Sequence, residues 1–237
     1  MKDDFLPNLG VRINMVVEGQ TEERFVNELM APHFGLRGAE VIARCITTSR
    51  QKGRPFRGGM PSYEKVRYDL LGWIREDTGA YVTTMFDLYQ IDTGFPSYAE
   101  SRNLTNGYDQ AVCLETGLDE DIDNSRFIPY IQIHEFEALL FSDANAIEDD
   151  MMNRGRPSRR DKLRAITEEF SSPEDINNGF ETAPSKRLAK LYKGYENIKI
   201  TAGTNITKSI GLTTIRECCP HFDEWISNLE SLDPLNN

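Results

Sequence analysis

Residues 11–26 read VRINMVVEGQTEERFV. The first eight form an apolar, β-branched run that closes on Glu18 and Gly19. Such a run, with almost no polar alternation, suits a strand buried on both faces, as in a parallel sheet. Gln20 to Phe34 follows with a helical pattern. Phe25 with Leu29 and Val26 with Met30 repeat at four residues, and Glu22 and Glu23 sit near the positive end of the helix. A buried strand, a glycine turn and an amphipathic helix in this order open an alternating α/β fold.

The alternation continues to about residue 142. Glu40 to Thr48 predicts a second strand, and Gln51 to Pro61 a loop rich in Gly, Pro and Arg. Ser62 to Asp77 predicts a helix, with Val66, Leu70, Trp73 and Ile74 on one stripe. Ala80 to Phe86 predicts a third strand ending at Asp87. Tyr98 to Glu115 predicts a weaker helix, and Phe127 to Ile133 a fourth strand that runs into the helical-looking HEFEALLF of residues 134–141. Beyond Ser142 the pattern is mainly helical, broken by Pro157, Pro173, Gly179 and Pro184, with one short strand expected near Ile198 to Thr201. The expected architecture is a Rossmann-like, mostly parallel sheet with helices on both faces, over residues 9–142, and a helical cap over residues 143–237 packed on it. The apolar faces of the second half have two uses, packing inward or pairing in a homodimer.

The 237 residues carry 27 basic and 38 acidic side chains, a formal charge of −11. Hydrophobic residues make up 39%, too many for a disordered chain. An acidic total counts against a protein that coats nucleic acid with a uniformly basic surface. The charge is unevenly placed, however. Arg44, Arg50, Lys52, Arg54, Arg57, Lys65 and Arg67 stand against Glu64 alone, and four of the seven, Arg50, Lys52, Arg54 and Arg57, lie in the connection after the second strand. A second basic stretch runs from Arg154 to Arg164 against Asp161, and Lys186-Arg187 is a third. Arginines grip phosphates bidentately, and the Phe56 ring offers a face for a base. Phosphate contact is therefore expected of Arg50, Lys52, Arg54 and Arg57, whereas the 154–164 stretch serves equally as a solvated face. The four cysteines form no CxxC pair, the first residues lack a signal-peptide core, and no apolar run approaches the ~20 residues of a membrane span. A cytoplasmic protein with no membrane association is expected.

Acids stand at the carboxyl ends of three predicted strands: Glu18 after the first, Asp87 after the third, and Glu135 and Glu137 after the fourth. Ligand sites of open parallel sheets lie outside those ends. Converging carboxylates there suit a hard cation such as Mg²⁺ or Mn²⁺, which activates water and neutralises a phosphoryl group. By position alone Glu22, Glu23 and Glu137 are read as solvated or dipole-stabilising side chains, while Glu18 and Asp87 each end a strand too apolar to need a charge.

These residues carry a resemblance. Glu18-Gly19 after the first strand, with Asp87 after the third, is similar to the Toprim domain of topoisomerases, primases and overcoming-lysogenization-defect nucleases. VVEGQTEERFV (residues 16–26), IQIHEFEALLF (131–141) and IGLTTIRECCPHFDEWI (210–226) resemble marks of a small bacterial Toprim-like family. The resemblance implies that Glu18 matches the Toprim glutamate, used for metal binding or acid–base work, and that Asp87 matches the first aspartate of its DxD motif. Tyr89 stands at the second DxD position, and a tyrosine does not replace a carboxylate as a Mg²⁺ ligand at neutral pH. Asp92, Glu135 or Glu137 then has to supply the second acid. His134, beside Glu135, is expected to act as base, metal ligand or phosphate clamp, against the plainer reading of a side chain that bonds the helix start.

The expected activity is a metal-dependent phosphodiesterase or nuclease on DNA or RNA. Glu18, Asp87, His134 and Glu135 would be catalytic, Glu18, Asp87, Asp92 and Glu137 would hold metal, and Lys186 and Arg187 would cover the substrate. The resemblance also implies an ATPase partner in antiviral defence, since the chain itself has no GxxxxGK[ST]. Two other readings stand beside it. One is a non-catalytic Toprim-fold adaptor that binds nucleic acid or the ATPase. The other is a hydrolase of a small nucleotide phosphate.

Overall fold

The computed structural model describes residues 10–46, 49–51, 54–56, 60–89, 91–177 and 180–235. Strand β1, Arg12–Val17, is central and buried over five of its six residues. It pairs in parallel with β2, Glu40–Cys45, on one side and with Tyr81–Asp87 on the other. The loop after β2 folds into a short antiparallel ribbon of β3, Ser49–Gln51, and β4, Arg54–Phe56, where the sequence suggests only loop. Strand β5, Tyr81–Asp87, then pairs with β6, Phe127–Ile128, and further along with β7, Ile131–Gln132, again in parallel. The order β2-β1-β5-β6, with β7 continuing beside β5, makes an α/β fold whose strand carboxyl ends share one edge.

The fourth predicted strand is thus two short ones. Pro129 has no N–H to give to a ladder. Thr84 fills the gap: its Oγ1 donates to the Tyr130 carbonyl at 2.9 Å and accepts from the Tyr130 N–H at 2.8 Å. The helix after β1 runs through Gln20–Phe25, a π-helical turn at Val26–Met30 and Ala31–Gly35. The widened turn precedes Pro32, whose missing N–H interrupts the regular α pattern. The helix expected over residues 98–115 is a short turn, Tyr98–Ser101, followed by Gly107–Ile122, which starts where Asn106 accepts the Asp109 N–H at 2.7 Å. The strand expected at Ile198 to Thr201 is instead the first turn of Lys199–Ile210. There the buried Ala202, Ile206 and Ile210 extend the four-residue apolar spacing, and that longer pattern outweighs two isoleucines in alternation.

Each sheet face has its own core. Val16, Val82 and Phe86 face Val66, Leu70 and Ile74 of the helix Tyr63–Glu76, and Leu114, Leu118 and Ile122. On the other face Ile13, Met15, Val17 and Met85 pack with Phe25, Met30 and Phe34, and also with Leu163, Leu188, Ile206, Phe222 and Trp225. The helices beyond residue 143 therefore complete a core that the first half begins. Trp225, in Pro220–Glu230, stacks on Tyr130 at 4.1 Å between ring centres, and its Nε1–H donates to Thr83 Oγ1 of β5 at 2.8 Å. Trp225→Ala is expected to cost about 4 kcal/mol, since it empties a filled site and orphans a buried hydroxyl contact. Urea unfolding measures it, and a loss below about 1 kcal/mol would contradict this account of the shared core.

Among the described residues no helix is long and apolar enough to cross a membrane.

Candidate metal centre

The carboxyl edge of the sheet gathers five acids. Glu18 leaves β1 and Asp87 ends β5. Glu135 precedes, and Glu137 lies within, a 3₁₀ helix at Phe136–Ser142 that follows β7. Glu22 comes from the first turn of Gln20–Phe25, where its carboxylate folds back over Gly19: a Cβ there would stand 3.1 Å from Glu22 Oε2. Glu22, Glu135 and Glu137 are buried. Asp87 Oδ1 accepts the Phe136 N–H at 2.9 Å, which ties β5 to the 3₁₀ helix. The Asp87 backbone N–H faces the Glu18 carboxylate and favours its charge, so the two acids are neighbours across β1 and β5.

Burial and mutual repulsion dominate the electrostatics. Burial, then the Glu22 charge, pushes the Glu18 carboxyl up to about 7. Burial, then Glu135, does the same to Glu137. Burial raises Glu22, and Asp87 lies well above the usual carboxylate range through burial and the charges of Glu18, Glu22, Glu137 and Glu135. The counterweight is Lys199, the first residue of Lys199–Ile210, whose ammonium is raised chiefly by Glu137 and also by Glu22, Asp87 and Glu135. Gly203 lets that helix approach, since a Cβ on it would stand 3.0 Å from Thr21 Cγ2 and 3.1 Å from Phe136 Cε1.

The donor set fits a hard divalent cation. It offers carboxylate oxygens, and the Glu18 Oε2 atom is buried with no hydrogen-bond partner. A buried acceptor without a donor is costly, and a cation satisfies it while cancelling the repulsion among its neighbours. Among the described residues no group of three or more His, Cys, Asp or Glu side chains forms a ready-made cage.

The other expected site residues lie as follows. Glu135 accepts from the Ser185 N–H and, at 3.0 Å, from Ser185 Oγ, so it holds the start of the helix Pro184–Leu191. Asp92 Oδ2 accepts the N–H groups of Tyr63 at 3.0 Å and Gly94 at 3.1 Å, anchoring the helix Tyr63–Glu76, and the structure does not bring it into the cluster. His134 adopts a left-handed backbone, φ 61°. Burial pushes its imidazole down to about 4 against the opposing pull of Asp175, so it is neutral at pH 7. Arg187 donates to the Thr182 carbonyl at 2.8 Å and lies 5.2 Å over the Phe170 ring, whereas Lys186 is exposed on the same helix. Arg50 and Arg54 belong to β3 and β4, and Lys52 and Arg57 lie outside the described residues. In the second basic stretch Arg154 pairs with Asp150 and Arg160 reaches Asp149 at 3.8 Å, so part of that charge is answered locally.

Two members of the cluster escape the sequence reading. Glu22 looks like an ordinary helix-start acid. The spacing from Glu18, one helical turn across a glycine, is the only local sign that it folds back. Lys199 carries no local sign at all, because it reaches the acids through the packing of a distant helix.

The family described as a domain of unknown function, DUF4276, matches residues 17–230. No curated protein matches the sequence. Among solved structures, the chain is similar to the C-terminal region of the Burkholderia pseudomallei OLD protein, at 15% identity and a TM-score of 0.47, over 93% of this chain and 99% of that one. It is also similar to the C-terminal region of the Xanthomonas campestris pv. campestris OLD protein, at 14% identity and a TM-score of 0.41, over 92% and 95% of the two chains.

Proposed function

We propose that this chain, which belongs to the DUF4276 family, is a divalent-metal-dependent phosphodiesterase that cleaves nucleic acid. The observation that carries the reading is the five-carboxylate cluster at the strand ends, with the orphaned Glu18 Oε2 within it. The match of Glu18 and Asp87 to the two leading Toprim acids supports it separately. Mg²⁺ or Mn²⁺ held by Glu18 and Asp87, with Glu22 beside them, would supply a water acidic enough to attack and would neutralise the phosphoryl oxygens.

The chain's own groups do the rest. Glu137, raised by burial and by the Glu135 charge, adds a further carboxylate to the metal position. Lys199 offsets the cluster's charge, which otherwise repels a polyanion. Arg50, Lys52, Arg54 and Arg57, in the connection that leaves β2 at this same edge, hold the nucleic-acid backbone. A separate ATPase in a bacterial antiviral setting is the partner that the Toprim-like resemblance implies.

The test is incubation with labelled single-stranded DNA, duplex DNA and transfer RNA, in Mg²⁺, in Mn²⁺ and in EDTA. Cleavage in metal and none in EDTA is expected. Binding without cleavage, even with the ATPase present, would instead favour an adaptor. Lys199→Met is expected to slow cleavage by on the order of 10²-fold and to lower the melting temperature, because all five acids face this cation. An unchanged rate in that variant would remove Lys199 from the site.

A further inference from the structure

Beside the carboxylates lies a cleft of about 370 Å³, between the residues after Asp87, the segment from Arg102 to Gln110, His134 and the turn through Asp175 and Asn177. Sites for small molecules start at roughly 300 Å³. We propose that this cleft binds one unstacked nucleobase that carries an exocyclic amino group, from the nucleotide next to the phosphate held at the cluster. The inference rests on the nucleic-acid reading above.

Position comes first. Tyr89 follows Asp87 by two residues, and its N–H donates to the His134 carbonyl at 2.7 Å. His134 in turn precedes Phe136, whose N–H binds Asp87. One stretch of backbone therefore joins the cleft to the carboxylate cluster.

Chemistry comes second. Gln110 uses its Nε2 on the Leu104 carbonyl at 2.8 Å, which leaves its amide oxygen as an acceptor. Asn177 Nδ2 lies 3.3 Å from His134 Nδ1. Glu174 is engaged by the N–H groups of His221 and Phe222, both at 3.0 Å. Asp175 is exposed, and its carboxylate makes no hydrogen bond or ion pair with the described residues. The Arg102 guanidinium lies 4.7 Å over the Tyr98 ring. Two carboxylates against one guanidinium disfavour a phosphate here, whereas an acid and an amide oxygen match an amino group on a base edge. The His134 ring supplies a flat face for stacking.

Strain comes third. A non-glycine residue at φ 61° sits in the left-handed region that side chains seldom adopt. The ring is wedged against the start of Gly107–Ile122, where a Cβ on Gly107 would stand 2.8 Å from Ile133 Cγ2 and 3.1 Å from His134 Cε1. The glycine keeps the ring's place beside the cleft.

The chain has three histidines, so the Cε1 proton of His134 can be followed by NMR and assigned with His134→Asn. The whole protein is titrated in EDTA with cytidine, adenosine, uridine, ribose and inorganic phosphate. A saturable shift of the His134 line by cytidine or adenosine is expected, at least about five-fold weaker for uridine. Asp175→Asn and Gln110→Ala are each expected to weaken it by at least about five-fold, with the other two histidine lines unmoved. No shift, an equal shift with uridine, or a shift with phosphate or ribose alone would overturn the proposal. Nothing here requires catalysis. Cleavage without a base-dependent shift overturns this cleft and leaves the phosphodiesterase standing, and the shift without cleavage does the reverse.

Discussion

Asp87→Asn and Glu18→Gln are each expected to reduce metal-dependent cleavage by on the order of 10³-fold, and yet to melt above the wild type in EDTA. The two effects have one cause. Asp87 is the acid on which burial and the charges of Glu18, Glu22, Glu137 and Glu135 press together. Asparagine keeps an oxygen for the Phe136 N–H that Asp87 Oδ1 accepts at 2.9 Å, so the tie between β5 and the 3₁₀ helix survives. What disappears is a carboxyl whose ionisation burial and the four neighbouring acids all oppose. Glutamine at position 18 likewise retains an acceptor toward the Asp87 N–H and replaces the unpartnered, chargeable Oε2 with a neutral amide NH₂. A gain of about 2 kcal/mol, or roughly 4–8 °C in a chain of this size, is a reasonable magnitude for relieving such repulsion. Cleavage that survives both substitutions would sink the site assignment. Variants that lose cleavage but melt lower than the wild type would show these acids to be ordinary structural side chains.

How much of this was legible follows from the range of each signal. β1 and β5 were readable because a buried parallel strand is a continuous apolar run, and Glu18 and Asp87 were readable because they interrupt that run at its end. The break at Pro129 was visible as a proline, but its repair by Thr84 Oγ1 required knowing that β5 lies alongside. Asp92 and Glu135 show the limit from the other side. Both are acids near strand ends, and both direct their oxygens to helix starts, at Tyr63 and Ser185, that lie 29 and 50 residues away in sequence. Nothing local separates an acid that anchors a distant helix from one that faces a metal. The fate of Glu22 was decided by the glycine before it, and that of Lys199 by the close approach that Gly203 permits.

The same repulsion predicts how stability responds to pH, and how metal reverses it. Glu18 and Glu137 are carboxyls pushed up from an ordinary 4.5 to about 7. Between those values the folded protein holds protons that the unfolded chain has released, so raising the pH through that window costs stability. A rise of that size corresponds to roughly 3 kcal/mol, and because the acids act on one another it is better assigned to the cluster than to each group. In EDTA the melting temperature is therefore expected to fall by several degrees between pH 5 and pH 8. His221, raised by its contact with Glu115, adds to the fall with the same sign. Asp121, Glu148 and Glu230, whose carboxyls are lowered by their partners, lose their contribution only in more acid solution and leave this window alone. A divalent ion needs the deprotonated acids, so its stabilisation grows with pH, reaching about 2.7 kcal/mol at a hundred times its Kd. Calorimetric scans in Mn²⁺ are then expected to flatten or invert the slope seen in EDTA, and the gap between the two curves should collapse in Asp87→Asn. His221 and the acids outside the cluster affect both curves equally, so the gap isolates the five carboxylates. Parallel curves, with and without Mn²⁺, would mean that the cluster does not take the ion.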